Sequence, residues 1–235
     1  MLTLPARFTP IVDYMNSCLQ GSAHDAEHVI RVLHYAADIA YYTPGDMDID
    51  VLVTAAMLHD IGRPAQDKDP SLDHASVGAD MAYDFLRSIG WSKEKAAHVK
   101  ACIFTHRFRT DHLPASLEAQ ILFDSDKLDV TGAMGVARSF SYCTEIGEPY
   151  YTKDTSGSIE DGSQPAQLGG HSFFREYHFK LRDLADHMHT ARAKKIALEH
   201  KPAMDGFYRL MLDEVHTCYA RGALVLPELL KDEPV

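Results

Sequence analysis

Apolar positions recur along most of this chain at helical spacing. Positions 8–20 form a first amphipathic segment closed by Gly21. Ser22, with Asp25 three residues on, is a capping-box-like start for a second helix. Val29, Val32, Leu33, Ala36, Ala37 and Ala40 give that helix one buried stripe, and Thr43-Pro44-Gly45 ends it. A third helix is predicted from near Asp48 to His59. Its Val51, Leu52, Ala55, Ala56 and Leu58 make it apolar around much of its circumference, so it should be central. Gly62 and Pro64 break it, and AQDKDPSLD reads as a polar loop. A fourth helix spans 73–88. Gly90 separates it from a fifth, capped by Ser92 and running to Thr105. Leu113-Pro114 opens a sixth, which carries Ile121, Leu122 and Phe123. Residues 152–170 are rich in Gly, Ser, Asp and Gln without a period, and read as an exposed, mobile loop. Two helices, 173–200 and 202–221, follow. No run alternates as a strand would. The expected fold is all-α: one domain over 1–235, its core at about 21–140, with C-terminal helices packed on it.

One place breaks the pattern. The run VLVTAAMLHDIG ends its apolar helix on His59-Asp60, two ionisable groups side by side. Burying both costs free energy unless something pairs with them. A divalent cation would satisfy both at once, and His28 and Asp126 lie beside apolar stripes on two other predicted helices. Imidazole nitrogen and carboxylate oxygen without sulfur suit Mn, Fe, Co, Ni or Zn, and Mg less well. Four such ligands leave open positions on an octahedral ion. The bland alternative is a buried polar network without metal.

Composition narrows the field. The chain has 235 residues, 46% hydrophobic and 24% charged, as in an ordinary globular protein. A net charge of -11 argues against broad nucleic-acid binding but allows a small phosphorylated ligand at a local positive pocket. Cys18, Cys102, Cys143 and Cys218 are scattered, so neither a disulfide framework nor a zinc–thiolate site is expected. No leader-like segment opens the chain, and no apolar run reaches the roughly 18 residues of a membrane span. A cytoplasmic location away from membranes is the expectation.

His28 in HDAEHVIRV, His59-Asp60 in LHD and Asp126 in DSDKLD resemble the H…HD…D signature of the HD-domain superfamily. DSDKLDVTGAMGVARSF and FFREYHFKLRDLADHMHTARAKKIALEH extend the likeness to its bacterial YedJ/YpgQ-like branch, over about 21–215. The segment 152–170 departs from that branch. The resemblance implies an HD-type helical bundle and a divalent metal. It also implies phosphohydrolase activity on a nucleotide or another small phosphate ester or anhydride. One such reaction converts a nucleoside triphosphate to monophosphate and pyrophosphate, a metal-activated water attacking phosphorus. It also selects Asp126, which precedes Lys127-Leu128, over Asp124.

In dinuclear members of the superfamily, a His in each of two further helices holds a second metal. His74 and His106 occupy such places. One ion is expected, and two if both histidines ligate. The other readings of these two are a phosphate contact or a structural role. Arg31, one turn after His28, and Lys127 are candidate phosphate binders or mechanistic cations, with a salt bridge as the plain alternative. His24 and Asp25 are candidates for orienting a ligand from behind. Arg63, Arg107 and Arg109 flank the site in sequence and could bind polyphosphate, with a solvated surface charge as the plainer reading of each. His171, His178, His187, His189 and His200 read mainly as structural, with His178 and Lys180 as the exceptions to watch. Two rival functions are a di-iron oxygenase and a nucleotide-binding domain without turnover. A homodimer is a further expectation, from an apolar helical face.

Overall fold

The computed structural model describes residues 4–19, 23–107, 112–154, 157–164 and 172–231, with the backbone alone for 23–25. His24 and Asp25 (as side chains), Arg109 and His171 therefore lie outside the described residues. Among those described there is no β-strand, only an isolated bridge between Lys153 and Ile159. The expected all-α class holds. The chain divides into two compact units: Met1–Asp129 with Met188–Ile196, and Val130–His187 with Ala197–Val235.

In the first unit the helices are α1 (Thr9–Cys18), α2 (Ala23–Tyr42), α3 (Ile49–Leu58), α4 (Arg63–Lys68), α5 (His74–Ser88), α6 (Lys93–Phe104) and α7 (Leu117–Leu128). The apolar circumference of α3 makes it the hub: it packs against α1, α2, α6 and α7. Val51, Leu52, Ala55, Ala56, Met57 and Leu58 are all buried. Fully burying a leucine such as Leu52 contributes about 1.5–3 kcal/mol. Asp48 starts α3 by accepting from the amides of Asp50 (3.1 Å) and Val51 (3.2 Å). Ser92 and Ser116 cap α6 and α7 through the amides of Lys95 and Ala119, each at 3.2 Å. Such a cap is worth about 1 kcal/mol. Ser116, rather than Leu113-Pro114, thus sets the start of α7.

The expected loop after Gly62 contains α4 instead. Pro64 sits in the first turn of α4, where its missing N–H costs nothing. Gly62 allows α4 and α5 to meet: a Cβ there would lie 2.2 Å from the His74 carbonyl oxygen and 2.6 Å from the Gly78 nitrogen. Residues 188–196 return to this unit. Asp124 accepts from the amides of His189 (2.9 Å) and Thr190 (2.7 Å), and Arg192 pairs bidentately with Asp38 at 2.9 and 3.0 Å.

The second unit holds α8 (Gly132–Glu145), α9 (Phe173–Glu176) and most of α10 (Ala191–Leu229). The predicted helix over 173–200 is interrupted. After α9 the backbone widens into a π turn, Tyr177–Leu181, then tightens into a 3-10 turn, Leu184–His187. Asp124 fixes the amides just before α10, and the Thr190 hydroxyl accepts from Ala193 at 3.3 Å, so a new helix starts there. The predicted break at Pro202 does not occur, and α10 runs through it. Proline removes one helical hydrogen bond, but Met204 and Tyr208 beyond it are buried, and their packing offsets the loss.

The core of this unit joins Val136, Cys143, Ile159, Phe173, Phe174, Tyr177, Leu181, Met204 and Tyr208. Within the expected exposed loop, Ile159 and Gly162 are buried. Gly162 has φ +83°, and a Cβ there would lie 2.4 Å from the Phe174 backbone. Among the described residues, no helix is long and apolar enough to cross a membrane.

Candidate metal centre

Six ionisable side chains converge inside the first unit. His28 stands on the second turn of α2. His59 and Asp60 follow directly on α3, His59 keeping a helical backbone at φ −59° and ψ −33°. His74 opens α5, His106 follows α6, and Asp126 lies in the last turn of α7. His28, His59, Asp60, His74 and His106 are buried, and the Asp126 side chain is 13% exposed.

His28, His59, Asp60 and Asp126 face one another. His28 Nε2 lies 3.3 Å from Asp126 Oδ1, 3.5 Å from Asp60 Oδ2 and 3.3 Å from His59 Nε2. His59 Nε2 lies 3.5 Å from Asp60 Oδ2 and 4.0 Å from Asp126 Oδ1. Bonds of about 2.1 Å to a common cation put neighbouring ligand atoms about 3.0–3.5 Å apart. The other oxygen of Asp60 faces elsewhere: Oδ1 lies 3.5 Å from His74 Nε2 and 3.7 Å from His106 Nε2. The atoms of the triad Asp60, His74 and His106 all lie within 4.8 Å of one another, as do those of His28, His59 and Asp60. Both triads thus share Asp60.

The backs of the imidazoles show which nitrogen is free. His59 Nδ1 donates to the Ala56 carbonyl (2.9 Å) and His106 Nδ1 to the Ile103 carbonyl (2.6 Å). A carbonyl can only accept, so both protons sit on Nδ1. His28 Nδ1 donates to Asp129 Oδ2 (2.7 Å), and His74 Nδ1 to Gln66 Oε1 (2.5 Å). At His59, His74 and His106 this leaves Nε2 as a lone pair pointing inward, whereas His28 holds a second proton on Nε2, facing Asp126, that a cation would replace. Asp60 Oδ1 and His74 Nε2 are buried with no hydrogen-bond partner. An orphaned carboxylate oxygen opposite an orphaned imidazole lone pair is costly unless a cation lies between them. The residues fit a divalent metal.

Burial works against charge on His28, His59, Asp60, His74 and Asp126, and the neighbours decide the outcome. For His28 the burial penalty is outweighed by Asp126, Asp129 and Asp60, which push its pKa up to about 10. Burial, aided by the charges of His28 and His106, takes His59 down to about 4. Burial, with Arg63, His106 and Arg107 nearby, takes His74 to about 3. Asp60 and Asp126 are held well below the usual carboxylate range despite burial, Asp60 by His59 and Arg63, Asp126 by Lys127 and His28.

Four cations border the centre, and each is matched by an acid. Arg31 makes two bonds to Asp129, Nε to Oδ1 at 2.6 Å and Nη2 to Oδ2 at 3.0 Å. Lys127 Nζ donates to Asp126 Oδ2 (2.5 Å) and to the His106 carbonyl (3.0 Å). Arg63 pairs with Asp60 and Arg107 with Asp73, each at 2.5 Å. Arg31 and Lys127 stand beside the centre as expected, yet both are engaged with its carboxylates. Asp124 is directed away, onto residues 189–190. His178 donates to Tyr208 (2.9 Å) in the second unit and Lys180 to Glu176 (3.2 Å).

Sequence reasoning missed Asp129 and Gln66. Asp129 had a signal, since three residues past Asp126 is the same face of a helix. Gln66 had none while its segment was read as a loop.

The HD domain family matches residues 25–131. YpgQ of Bacillus subtilis (strain 168) is 30% identical over 200 residues, 83% of this chain and 86% of that protein. The solved structure of Bacillus subtilis YpgQ in complex with ADP is 28% identical with a TM-score of 0.64, covering 87% of this chain and 92% of that one. The structure of an HD-superfamily hydrolase from Bacillus thuringiensis is 25% identical with a TM-score of 0.64, covering 88% of this chain and 96% of that one.

Proposed function

Because the chain belongs to the HD-domain family, in the branch that includes YpgQ, we infer that it is a divalent-metal-dependent phosphohydrolase acting on a nucleotide. The observation that carries this reading is the arrangement of four imidazoles. Each spends its Nδ1 on an outer acceptor and turns its Nε2 toward Asp60 or Asp126. A network without metal leaves Asp60 Oδ1 and His74 Nε2 buried without a hydrogen bond.

His28, His59, Asp60 Oδ2 and Asp126 Oδ1 would hold the first cation. Asp60 Oδ1, His74 and His106 would hold a second. A phosphate contact for His74 is disfavoured, because an acceptor nitrogen cannot donate to a phosphate oxygen and burial keeps this imidazole neutral. Bound cations supply Lewis acidity to phosphoryl oxygens and acidify a coordinated water. The protein's part is to fix the ligands and exclude competing charge. Arg31, Arg63, Lys127 and Arg107 are each committed to a carboxylate, so they bring little uncompensated positive charge to a polyphosphate. The attraction for the substrate must then come from the metal. YpgQ bound to ADP supports a nucleotide as that substrate. Cleavage of a nucleoside triphosphate to monophosphate and pyrophosphate is the specific reaction we assign.

The test is metal analysis of the purified protein, then a nucleotide panel with Mn, Mg, Co, Ni, Zn and Fe. Metal-stimulated release of pyrophosphate, abolished by chelator and restored by metal, is expected. A wild-type protein that binds no divalent ion and releases no phosphate or pyrophosphate would overturn the reading. Two irons per chain with substrate-dependent oxygen consumption would favour the oxygenase instead. Nucleotide binding without product would favour a domain without turnover.

A further inference from the structure

Three of the four imidazoles end on neutral acceptors: the Ala56 carbonyl, the Ile103 carbonyl and the Gln66 amide. His28 alone among them ends on a carboxylate, that of Asp129. Asp129 is 1% exposed, and both of its oxygens are engaged. Oδ2 accepts from His28 Nδ1 (2.7 Å) and Arg31 Nη2 (3.0 Å), while Oδ1 accepts from Arg31 Nε (2.6 Å).

The pattern is reciprocal between two helices. On α2, His28 and Arg31 are three apart; at the end of α7, Asp126 and Asp129 are three apart. One turn of α7 therefore supplies a group that faces His28 Nε2 and another that grips His28 Nδ1. An anionic partner behind a ligating imidazole fixes its ring and raises its basicity. A bidentate guanidinium locks that partner's own orientation.

We propose that Asp129, clamped by Arg31, is the positioning residue of the centre, and that it makes the His28 position the tighter of the two metal positions. The proposal rests on the metal-dependent reading above. It gives Arg31 a role through Asp129 and not on the substrate, and it makes the two metal positions unequal by construction. The position shared by Asp60, His74 and His106 has no carboxylate behind its imidazoles and is the first to empty.

The experiment titrates Mn2+ into the metal-free full-length chain, following free Mn2+ by electron paramagnetic resonance, for the wild type, Asp129→Asn, Asp129→Ala and Arg31→Met. KM for a nucleoside triphosphate is then measured at saturating Mn2+. Asp129→Asn is expected to weaken the tighter Mn2+ position by about 10–100-fold. Arg31→Met is expected to weaken it several-fold with KM unchanged. Arg31 is only part-buried, so its variant keeps the proposal open to refutation if the Asp129 variants fold poorly. Mn2+ affinities within twofold of wild type in folded variants would overturn the proposal. So would a raised KM in Arg31→Met with Mn2+ affinity intact, which would put Arg31 on the substrate. A wild type that binds no Mn2+ would overturn the metal reading itself, a result distinct from the other two.

Discussion

The two units bury polar chemistry in opposite ways. In the second, the stacked rings of Tyr177 and Tyr208 (centroids 4.1 Å apart) lie in an aromatic core and send their hydroxyls out to partners. Tyr177 donates to Asp205 at 2.9 Å and Tyr208 to the Asp161 carbonyl at 2.6 Å. In the first, ionisable groups point inward, and two of their atoms, Asp60 Oδ1 and His74 Nε2, face each other without a hydrogen bond. The stacked tyrosines thus find their partners within their own unit. The charged centre is complete only with something added, and its buried charge is a cost to the bare fold that a ligand must offset.

The sharpest way to break this contrast is at Asp60. Asp60→Asn keeps the volume but removes the anion shared by both triads. Activity should fall by about 1,000-fold or more, a loss of about 4 kcal/mol in transition-state stabilisation. Metal content should fall with it while the helical circular dichroism is kept. Full metal content and activity in this variant would end the claim that the centre exists to hold cations.

The matching change in the second unit is Phe174→Ala, in a fully buried ring. It should cost about 3–5 kcal/mol of stability in a urea titration. Below its melting temperature the variant should retain wild-type metal content. Loss of metal in the folded variant would show that the centre is not built by the first unit alone.

A smaller effect comes from pH. His28 has a folded pKa of about 10, above its unfolded value of about 6.5. Its contribution to stability is therefore full below about 6.5 and is lost as pH rises through about 10. His59 (about 4) and His74 (about 3) are depressed, so the unfolded chain binds their protons first and stability falls as pH drops below about 6.5. The metal-free protein should thus be most stable near neutral pH, as read by melting temperature across a pH series. A divalent ion must displace the His28 proton, so apparent affinity should rise with pH across the neutral range. A flat affinity profile between pH 6 and 9 would contradict that ordering of protons.

Much of this was legible from patterning because patterning reports burial. The apolar circumference of α3 foretold its central place, and the polar pair at its end foretold a centre. Ser92 announced its helix because capping is local chemistry. Pro64 and Pro202 misled for one reason: a proline's effect depends on its place in a helix. At the first turn its missing donor is harmless, and in the body of α10 the burial of Met204 and Tyr208 outweighs it. Gln66 was unreadable, because its role depends on α4 meeting α5, a tertiary fact. Asp129 stood in plain spacing, but a carboxylate that grips the back of an imidazole looks in sequence like any other acid.

The close approach at Gly62 carries a consequence for mutational tolerance. The space there is closed by the His74 carbonyl and the Gly78 backbone, so even alanine must push α4 and α5 apart. Such a change removes no ligand and alters no charge, yet it tilts the turn that carries His74 and Gln66. In a library of variants selected for activity, this position would behave as intolerantly as the histidines themselves. A single hydrogen atom in place of a side chain is, by that measure, part of the centre's specification.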